Sequence, residues 1–110
     1  MRILTQPVWM VEQCVLTDLI TQANDHAWEL SGIRPEMWAD KMNRQCAEAL
    51  CRVRDSGHRV HARTVGWLLR HDKKAKAQFK KMIRTSPGTH GSMTVYVSEL
   101  VYLAAQRRAA

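Results

Sequence analysis

The sequence predicts a single, mainly α-helical domain with a small β-hairpin near its C-terminus. Over most of the chain, apolar residues recur at steps of three and four, which is the period of one helical face. In residues 92–98, apolar and polar residues instead alternate, as they do in a half-buried strand. The length of 110 residues is that of one domain with a modest core.

A long N-terminal amphipathic helix is predicted over residues 8–30, and Gly32 is the glycine that would end it. Its apolar positions lie on one stripe: Val8, Val11, Val15, Leu19, Ala23, Ala27 and Leu30. The stripe is wide and includes Trp9 and Trp28, so two roles fit it. It is either part of the core, which is the favoured alternative, or an arm through which two copies form a homodimer.

The second helix is predicted to start at Pro35 and to end at Gly57. Proline is tolerated in the first turn of a helix, and glycine readily takes the left-handed conformation that ends one. Residues 58–61 are too few for another helix and suit a brief strand or an extended linker.

The remaining elements change type several times. A short helix is predicted at residues 62–70, and Asp72 is the predicted N-cap of another helix at residues 73–84. Residues 85–91 are rich in turn-forming residues, and the alternating segment at residues 92–98 follows as a strand. A last helix closes the chain.

Charge is divided unevenly between the two halves of the sequence. Residues 1–55 carry six Lys and Arg against eight Asp and Glu, whereas residues 56–110 carry eleven against two. Nine of these eleven basic residues lie in residues 59–84, where Asp72 is the only acid. Such a concentration of like charge destabilises a compact domain, so it predicts a polyanionic partner such as nucleic acid. The alternative is a solvated face that keeps the protein soluble.

The helix predicted at residues 73–84 has an apolar side and a cationic side. At about 100° per residue, Ala75, Phe79, Met82 and Ile83 cluster on one side. All six basic residues fall on the other side: Lys73, Lys74, Lys76, Lys80, Lys81 and Arg84. Like charges four residues apart destabilise a helix slightly, so this side favours an anionic partner.

The order of elements and the charge over residues 35–98 resemble a winged helix-turn-helix. In that family, the second helix of the turn enters the major groove of DNA and the wing contacts the adjacent backbone or minor groove. The resemblance implies a winged-helix-like basic module at residues 34–110, preceded by the N-terminal helix. Residues 62–70 would be the supporting helix, residues 73–84 the recognition helix and residues 85–91 the wing tip.

The residues expected to contact nucleic acid are the basic residues of this module and two residues of the wing tip. They are Arg59, Arg63, Arg70, Lys73, Lys74, Lys76, Lys80, Lys81, Arg84, Thr89 and His90. Because lysine suits phosphates and base reading favours Arg, Asn and Gln, we expect strong backbone attraction with modest sequence readout.

Three functions fit these features. The leading hypothesis is a small DNA-binding regulator of transcription or replication that docks its lysine-rich helix on duplex DNA, as a monomer or as a homodimer. The second is a protein inhibitor or interaction module, of the kind that phages and mobile elements encode, which binds a nucleic-acid enzyme. The third is a sequence-tolerant RNA-binding protein.

Aromatic residues add one further expectation. Four tryptophans could offer stacking surfaces to single strands. Trp9, Trp28 and Trp38 lie at core spacing, which favours packing instead. Trp67 is the exception to this packing role. It lies within the basic stretch, and its position on the helix points partly, but only partly, away from the neighbouring apolar residues.

Several classes of site are not predicted. The sequence indicates no catalytic constellation, cofactor, small-molecule ligand or metal site; Cys46 and Cys51 would lie about 140° apart around a helix and could not chelate one ion. No apolar run is long enough for a membrane span, and the N-terminus is not typical of a signal peptide. Three cysteines, an odd number, favour buried, reduced thiols and hence a cytoplasmic protein, nucleoid-associated if bacterial.

Overall fold

The structure is a computed structural model that describes residues 4–89 and 92–109, and helices joined by short linkers make up those residues. Six α-helices follow one another: α1 (Val8–Thr21), α2 (Ala27–Gly32), α3 (Lys41–Asp55), α4 (Ala62–Leu68), α5 (Lys73–Thr85) and α6 (Met93–Ala109). Short 3-10 turns occupy Ala23–His26 and Pro35–Met37. Neither described range contains a strand, so the predicted β-hairpin, and with it the winged form of the fold, is wrong.

Helix α1 lies at the centre of the domain. It packs against α3, α4, α5 and α6, and its middle is buried on nearly every side. Val11, Val15 and Leu19 are fully buried. Of the two roles predicted for the apolar stripe, these side chains therefore serve the core. The homodimer through residues 8–30 stays a prediction, and the exposed Trp9 and Trp28 are the large apolar side chains left for it on this segment.

The predicted helix over residues 8–30 is interrupted. Helix α1 ends at Thr21, and a 3-10 turn at Ala23–His26 separates it from the six-residue α2. Asn24 and Asp25 lie in that turn, and their short polar side chains disfavour a helix interior by competing for the backbone. Arg54 of α3 then holds the end of α2, because its Nη1 donates to the carbonyl oxygens of Leu30 (2.8 Å) and Ile33 (2.7 Å).

Helix α3 begins later than predicted and ends where predicted. Pro35 lies in a 3-10 turn, and the N-cap of α3 is Asp40, whose Oδ2 accepts the backbone N–H of Asn43 at 3.0 Å. Gly57 takes a φ of +80°, and the backbone N–H groups of Gly57 and His58 return to carbonyl oxygens of the last turn at 3.1 and 3.2 Å. The glycine cap predicted for this helix is confirmed.

A buried carboxylate fixes the start of α3 against α1. Glu12 is fully buried, and its two oxygens accept the backbone N–H groups of Ala39 (2.6 Å) and Asp40 (3.2 Å). Asn43 Nδ2 donates both to Glu12 Oε1 (3.0 Å) and to the carbonyl oxygen of Trp9 (3.1 Å). Glu12, an acidic residue of the N-terminal half, therefore lies in the interior and not on the surface.

Helices α4 and α5 form a pair joined by a four-residue turn, residues 69–72. Both pack against α3 and against each other. The N-cap predicted at Asp72 is confirmed, since its Oδ1 accepts the backbone N–H of Ala75 at 3.0 Å. Gly66 of α4 lies so close to Phe79 of α5 that a Cβ on the glycine would stand 3.2 Å from the ring. The two helices approach closely because residue 66 has no side chain.

Residues 92–98, predicted as a strand, form the start of α6. The buried apolar residues of this helix are spaced three and four apart, at Met93, Tyr96, Leu100 and Ala104. The alternation that predicted a strand covers only seven residues, and the longer helical period decides which side faces the core. The physical reason is tertiary, because this face packs against α1 and α2.

The segment predicted as a wing tip, residues 85–91, is packed on α1 as far as it is described. Thr89 is fully buried, and its backbone N–H and its Oγ1 donate to Asp18 Oδ2 at 2.8 and 2.5 Å. Gly88 has a φ of +77°, and a Cβ on it would collide with the same carboxylate. His90 lies outside the described residues.

The three cysteines are buried free thiols, as predicted. Burial raises the pKa of Cys14 and Cys51, and it raises the pKa of Cys46 to about 12. A thiol with a raised pKa is little ionised at neutral pH and is unreactive. Cys14, Cys46 and Cys51 therefore act as small apolar residues of the core.

Replacing Phe79 by Ala is expected to lower the free energy of unfolding by about 3–5 kcal/mol, because the ring fills the contact between α4 and α5. Denaturant unfolding followed by circular dichroism measures this loss. Val101→Ala is the control, since Val101 is an exposed apolar residue of α6. A Phe79 variant as stable as the Val101 variant would contradict the placement of the ring.

Candidate nucleic-acid interface

Helix α5 presents the two sides that its sequence predicts. Ala75, Phe79 and Met82 are buried. The six basic residues on the opposite side are exposed or, at Lys76, half-buried: Lys73, Lys74, Lys76, Lys80, Lys81 and Arg84. We call these six residues the cationic face of α5. Phe79 and Met82 anchor the helix so that the cationic face points away from the core.

Three arginines extend this positive surface beyond α5. Arg59 lies ahead of α4, Arg63 lies in its first turn, and Arg70 lies in the turn that follows; all three are exposed. Arg70 is held in place by Trp67: its Nη1 donates to the carbonyl oxygen of that residue at 2.9 Å, and its guanidinium carbon lies 3.3 Å from the centre of the indole ring.

The positive surface is not neutralised by carboxylates of the described chain. Within residues 4–89 and 92–109, Arg54 forms an ion pair with Asp55 at 2.8 Å. None of the nine basic residues from 59 to 84 pairs with an acid of these described residues. Asp72 is the acid nearest to them in sequence, and it instead accepts the backbone N–H of Ala75 and Gln45 Nε2 (3.1 Å). Their charge remains available to an external anion.

A groove runs between α4 and α5 beside the cationic face. Its volume is about 500 Å³, and Gly66, Phe79 and Ile83 supply apolar surface along it. Trp67 lines it on the side of α4 and is 59% exposed. Four basic residues also line it: Arg63, Lys76, Lys80 and Arg84. We call this feature the α4–α5 groove. It combines apolar and aromatic surface with cations in one concave site.

Trp67 also borders a second depression. This depression, of about 440 Å³, lies between the end of α3 and α4, and Arg63 again contributes to its lining. Trp67 and Arg63 thus line both concave surfaces.

The other tryptophans divide differently from the sequence-based expectation. Trp38 is fully buried, which confirms the packing role predicted for it. Trp9 and Trp28 were predicted to pack, yet they are 48% and 86% exposed. Both lie on the N-terminal helices, away from the basic stretch, and the exposed Trp67 is the tryptophan that lies among the basic residues.

The eleven residues predicted to contact nucleic acid are not all on one surface. The nine basic residues lie on or beside α4 and α5 and are accessible. Thr89 is buried against Asp18 of α1, so it is not part of the accessible surface, and its contact with nucleic acid stays a prediction. His90 is outside the described residues. The interface that remains consists of α4, α5 and the turn between them.

The sequence did not reveal the α4–α5 groove. Its shape depends on the close approach of Gly66 to Phe79, two residues whose contact no local pattern predicts. A glycine inside a short apolar helix, next to a tryptophan, was the available signal, since glycine in a helix costs stability and is kept where backbones approach closely.

Comparison with protein-family models, with curated protein sequences and with solved structures found no match to this chain. Within the described residues, no helix combines the length and apolarity that crossing a membrane requires. The same residues contain no group of three or more His, Cys, Asp or Glu side chains placed to hold a metal ion.

Proposed function

We propose that this protein is a small DNA-binding regulator of transcription or replication, which docks α5 on duplex DNA. The observation that carries the proposal is the set of nine basic side chains in residues 59–84, all accessible and none paired with a carboxylate of the described chain. A polyanion supplies the charges that the chain itself does not.

The arrangement of α4 and α5 supports docking on a duplex. Two helices joined by a four-residue turn and packed on a third helix, here α3, have the order of a helix-turn-helix. In that motif the second helix lies in the major groove. Helix α5 has 13 residues and spans about 20 Å, and the diameter of an α-helix with its side chains, about 10–12 Å, matches a major groove about 12 Å wide. No wing takes part in this proposal.

The chemistry of the cationic face favours phosphates over bases. Five of its six residues are lysines, which act as point charges, and Arg84 is the sixth. Gln78 is half-buried beside this face, and Arg70 is engaged with Trp67. Regulation would therefore act through occupancy of DNA with modest sequence preference. Acting on DNA in the cytoplasm fits the three free thiols, which suit a reducing compartment.

A salt titration tests the proposal. We expect the full chain to bind a labelled 20-base-pair DNA duplex, with log Kobs falling linearly against log salt at a slope of about −5 to −8, for roughly six to nine phosphate contacts. Fluorescence anisotropy gives the affinity at each salt concentration.

The same titration separates the alternatives. Duplex RNA of matched length, bound more tightly than DNA, would favour the RNA-binding hypothesis. A protein that binds neither duplex at low salt would contradict the proposal and favour the interaction module that targets a nucleic-acid enzyme.

A further inference from the structure

The α4–α5 groove has features that docking on a duplex leaves unused. Cations alone are enough to bind the phosphates of a duplex, whose bases are stacked inside it. The groove adds the exposed indole of Trp67 and apolar surface from Gly66, Phe79 and Ile83. Exposed aromatic surface next to cations is instead the combination found where proteins hold unpaired bases.

We propose that the α4–α5 groove binds an unpaired base of a DNA strand, so that the preferred substrate is single-stranded DNA or a duplex containing unpaired nucleotides. The base contacts Trp67 and the apolar surface of the groove. The phosphates on either side of it meet the basic residues of the groove: Arg63, Lys76, Lys80 and Arg84. This inference deepens the proposed function and rests on it, because both use the cationic face of α5.

The position of the four cations argues for a nucleotide strand as the occupant. Arg63 lies on the α4 side of the groove, and Lys76, Lys80 and Arg84 lie on the α5 side. A base inserted between the helices is therefore flanked by positive charge on both sides, as the two phosphates that flank it in a strand require. A volume of about 500 Å³ is within the range of sites that hold small organic ligands.

The contact between Arg70 and Trp67 lowers the conformational entropy that the indole loses when a base stacks on it. The guanidinium lies over one face of the ring and restrains its rotation, so a base would stack on the opposite face; the side chain remains 59% exposed. A restrained aromatic side chain loses less conformational freedom when a base stacks on it. Since every base has a π-face, the groove is expected to accept any of the four bases.

The groove is tested with three labelled DNA probes. They are a 20-base-pair duplex, one of its strands alone, and the same duplex with three unpaired thymidines at its centre. We expect wild-type protein to bind the two probes with unpaired bases at least about fivefold more tightly than the perfect duplex, the gain expected from stacking one base.

Trp67→Ala is expected to weaken binding to the two probes with unpaired bases by about 5- to 150-fold. Binding to the perfect duplex should weaken by a much smaller factor, because there Trp67 acts only through its contact with Arg70. Trp67→Phe should recover most of the loss, since a phenyl ring also stacks. Trp28→Ala removes an exposed tryptophan outside the basic stretch and is the matched control. Thermal unfolding of each variant shows that the fold is kept.

The outcomes separate the groove from the proposed function. Unchanged binding by Trp67→Ala, or an equal loss on all three probes, would overturn the groove proposal while duplex binding stands. Trp67-dependent binding to the single strand with no binding to the duplex would overturn duplex docking and support the groove. Absence of binding to every probe would overturn both. If poly-glutamate displaced the strand in a Trp67-dependent manner, the occupant would be an acidic protein instead.

Discussion

Reversing the charges of Lys76 and Lys80 together is expected to weaken binding to duplex DNA by at least about 100-fold. Both residues lie on the cationic face of α5, four residues apart, and neither pairs with a carboxylate of the described chain. Each lost charge-assisted contact costs roughly 1.5 kcal/mol, and each 1.4 kcal/mol is a tenfold change in affinity. Repulsion between the new glutamates and the phosphates adds to this loss.

The salt dependence gives a second, independent measure of the same variant. Two fewer phosphate contacts lower the magnitude of the slope of log Kobs against log salt by about 2. Thermal unfolding should be nearly unchanged, because neither side chain is in the core and positions 76 and 80 carry like charges in both the wild type and the variant.

A matched control changes the same amount of charge elsewhere. Lys41 and Arg108 are exposed residues of α3 and α6, outside the basic stretch. Reversing both should weaken duplex binding far less than reversing Lys76 and Lys80. Equal losses for the two double variants would mean that net charge, rather than the cationic face of α5, governs binding; loss of the fold in Lys76→Glu/Lys80→Glu would refute the assignment of that face to solvent.

The cationic face could be predicted because its determinants are local. The positions of Ala75, Phe79 and Met82 within one helix define the buried side, and the six cations follow by elimination. The caps at Asp72 and Gly57 were predictable for the same reason, since each depends on residues within one turn of the helix end.

The elements that the sequence did not predict depend on contacts between distant residues. The predicted wing tip is instead attached to α1 through Thr89 and Asp18, which are 71 positions apart in the sequence. Residues 92–98 are rich in β-branched and aromatic residues, which favour a strand locally, and packing against α1 overrides that preference.

Only part of the candidate site could be predicted from the sequence, again because the rest depends on contacts between distant residues. Sequence periodicity located the cations, but it carried no information on how close α4 comes to α5. That distance depends on Gly66 meeting Phe79, and it determines whether a groove exists beside Trp67. The charge of the surface was therefore predictable, and its concave, aromatic part was not.

Replacing Glu12 by Ala is expected to lower the free energy of unfolding by about 5 kcal/mol. The fully buried carboxylate accepts three hydrogen bonds, from the backbone of Ala39 and Asp40 and from the side chain of Asn43. Hydrogen bonds to a charged group contribute roughly 1.5–3 kcal/mol each, and their loss leaves donors without an acceptor. Small domains have a total stability of about 5–15 kcal/mol, so at the lower end of that range such a loss leaves about half of the protein unfolded.

Denaturant unfolding of three variants checks this expectation. Glu48→Ala is the matched control, since Glu48 is an exposed residue of α3, and it should change stability by less than about 0.5 kcal/mol. Glu12→Gln keeps one acceptor oxygen but points an amide N–H toward the donors, so it should fall between the two. A Glu12→Ala variant within about 1 kcal/mol of wild type would contradict the role of the carboxylate.

Glu12 also distinguishes loss of fold from loss of binding. Its hydrogen bonds join α1 to the start of α3, and α3 is the helix against which both α4 and α5 pack. Glu12→Ala should therefore lose DNA binding only in proportion to its loss of helical circular dichroism signal, whereas Lys76→Glu/Lys80→Glu should lose binding alone. An acidic residue of the N-terminal half thus supports the basic surface through the position of the helices, and it does so without neutralising that surface.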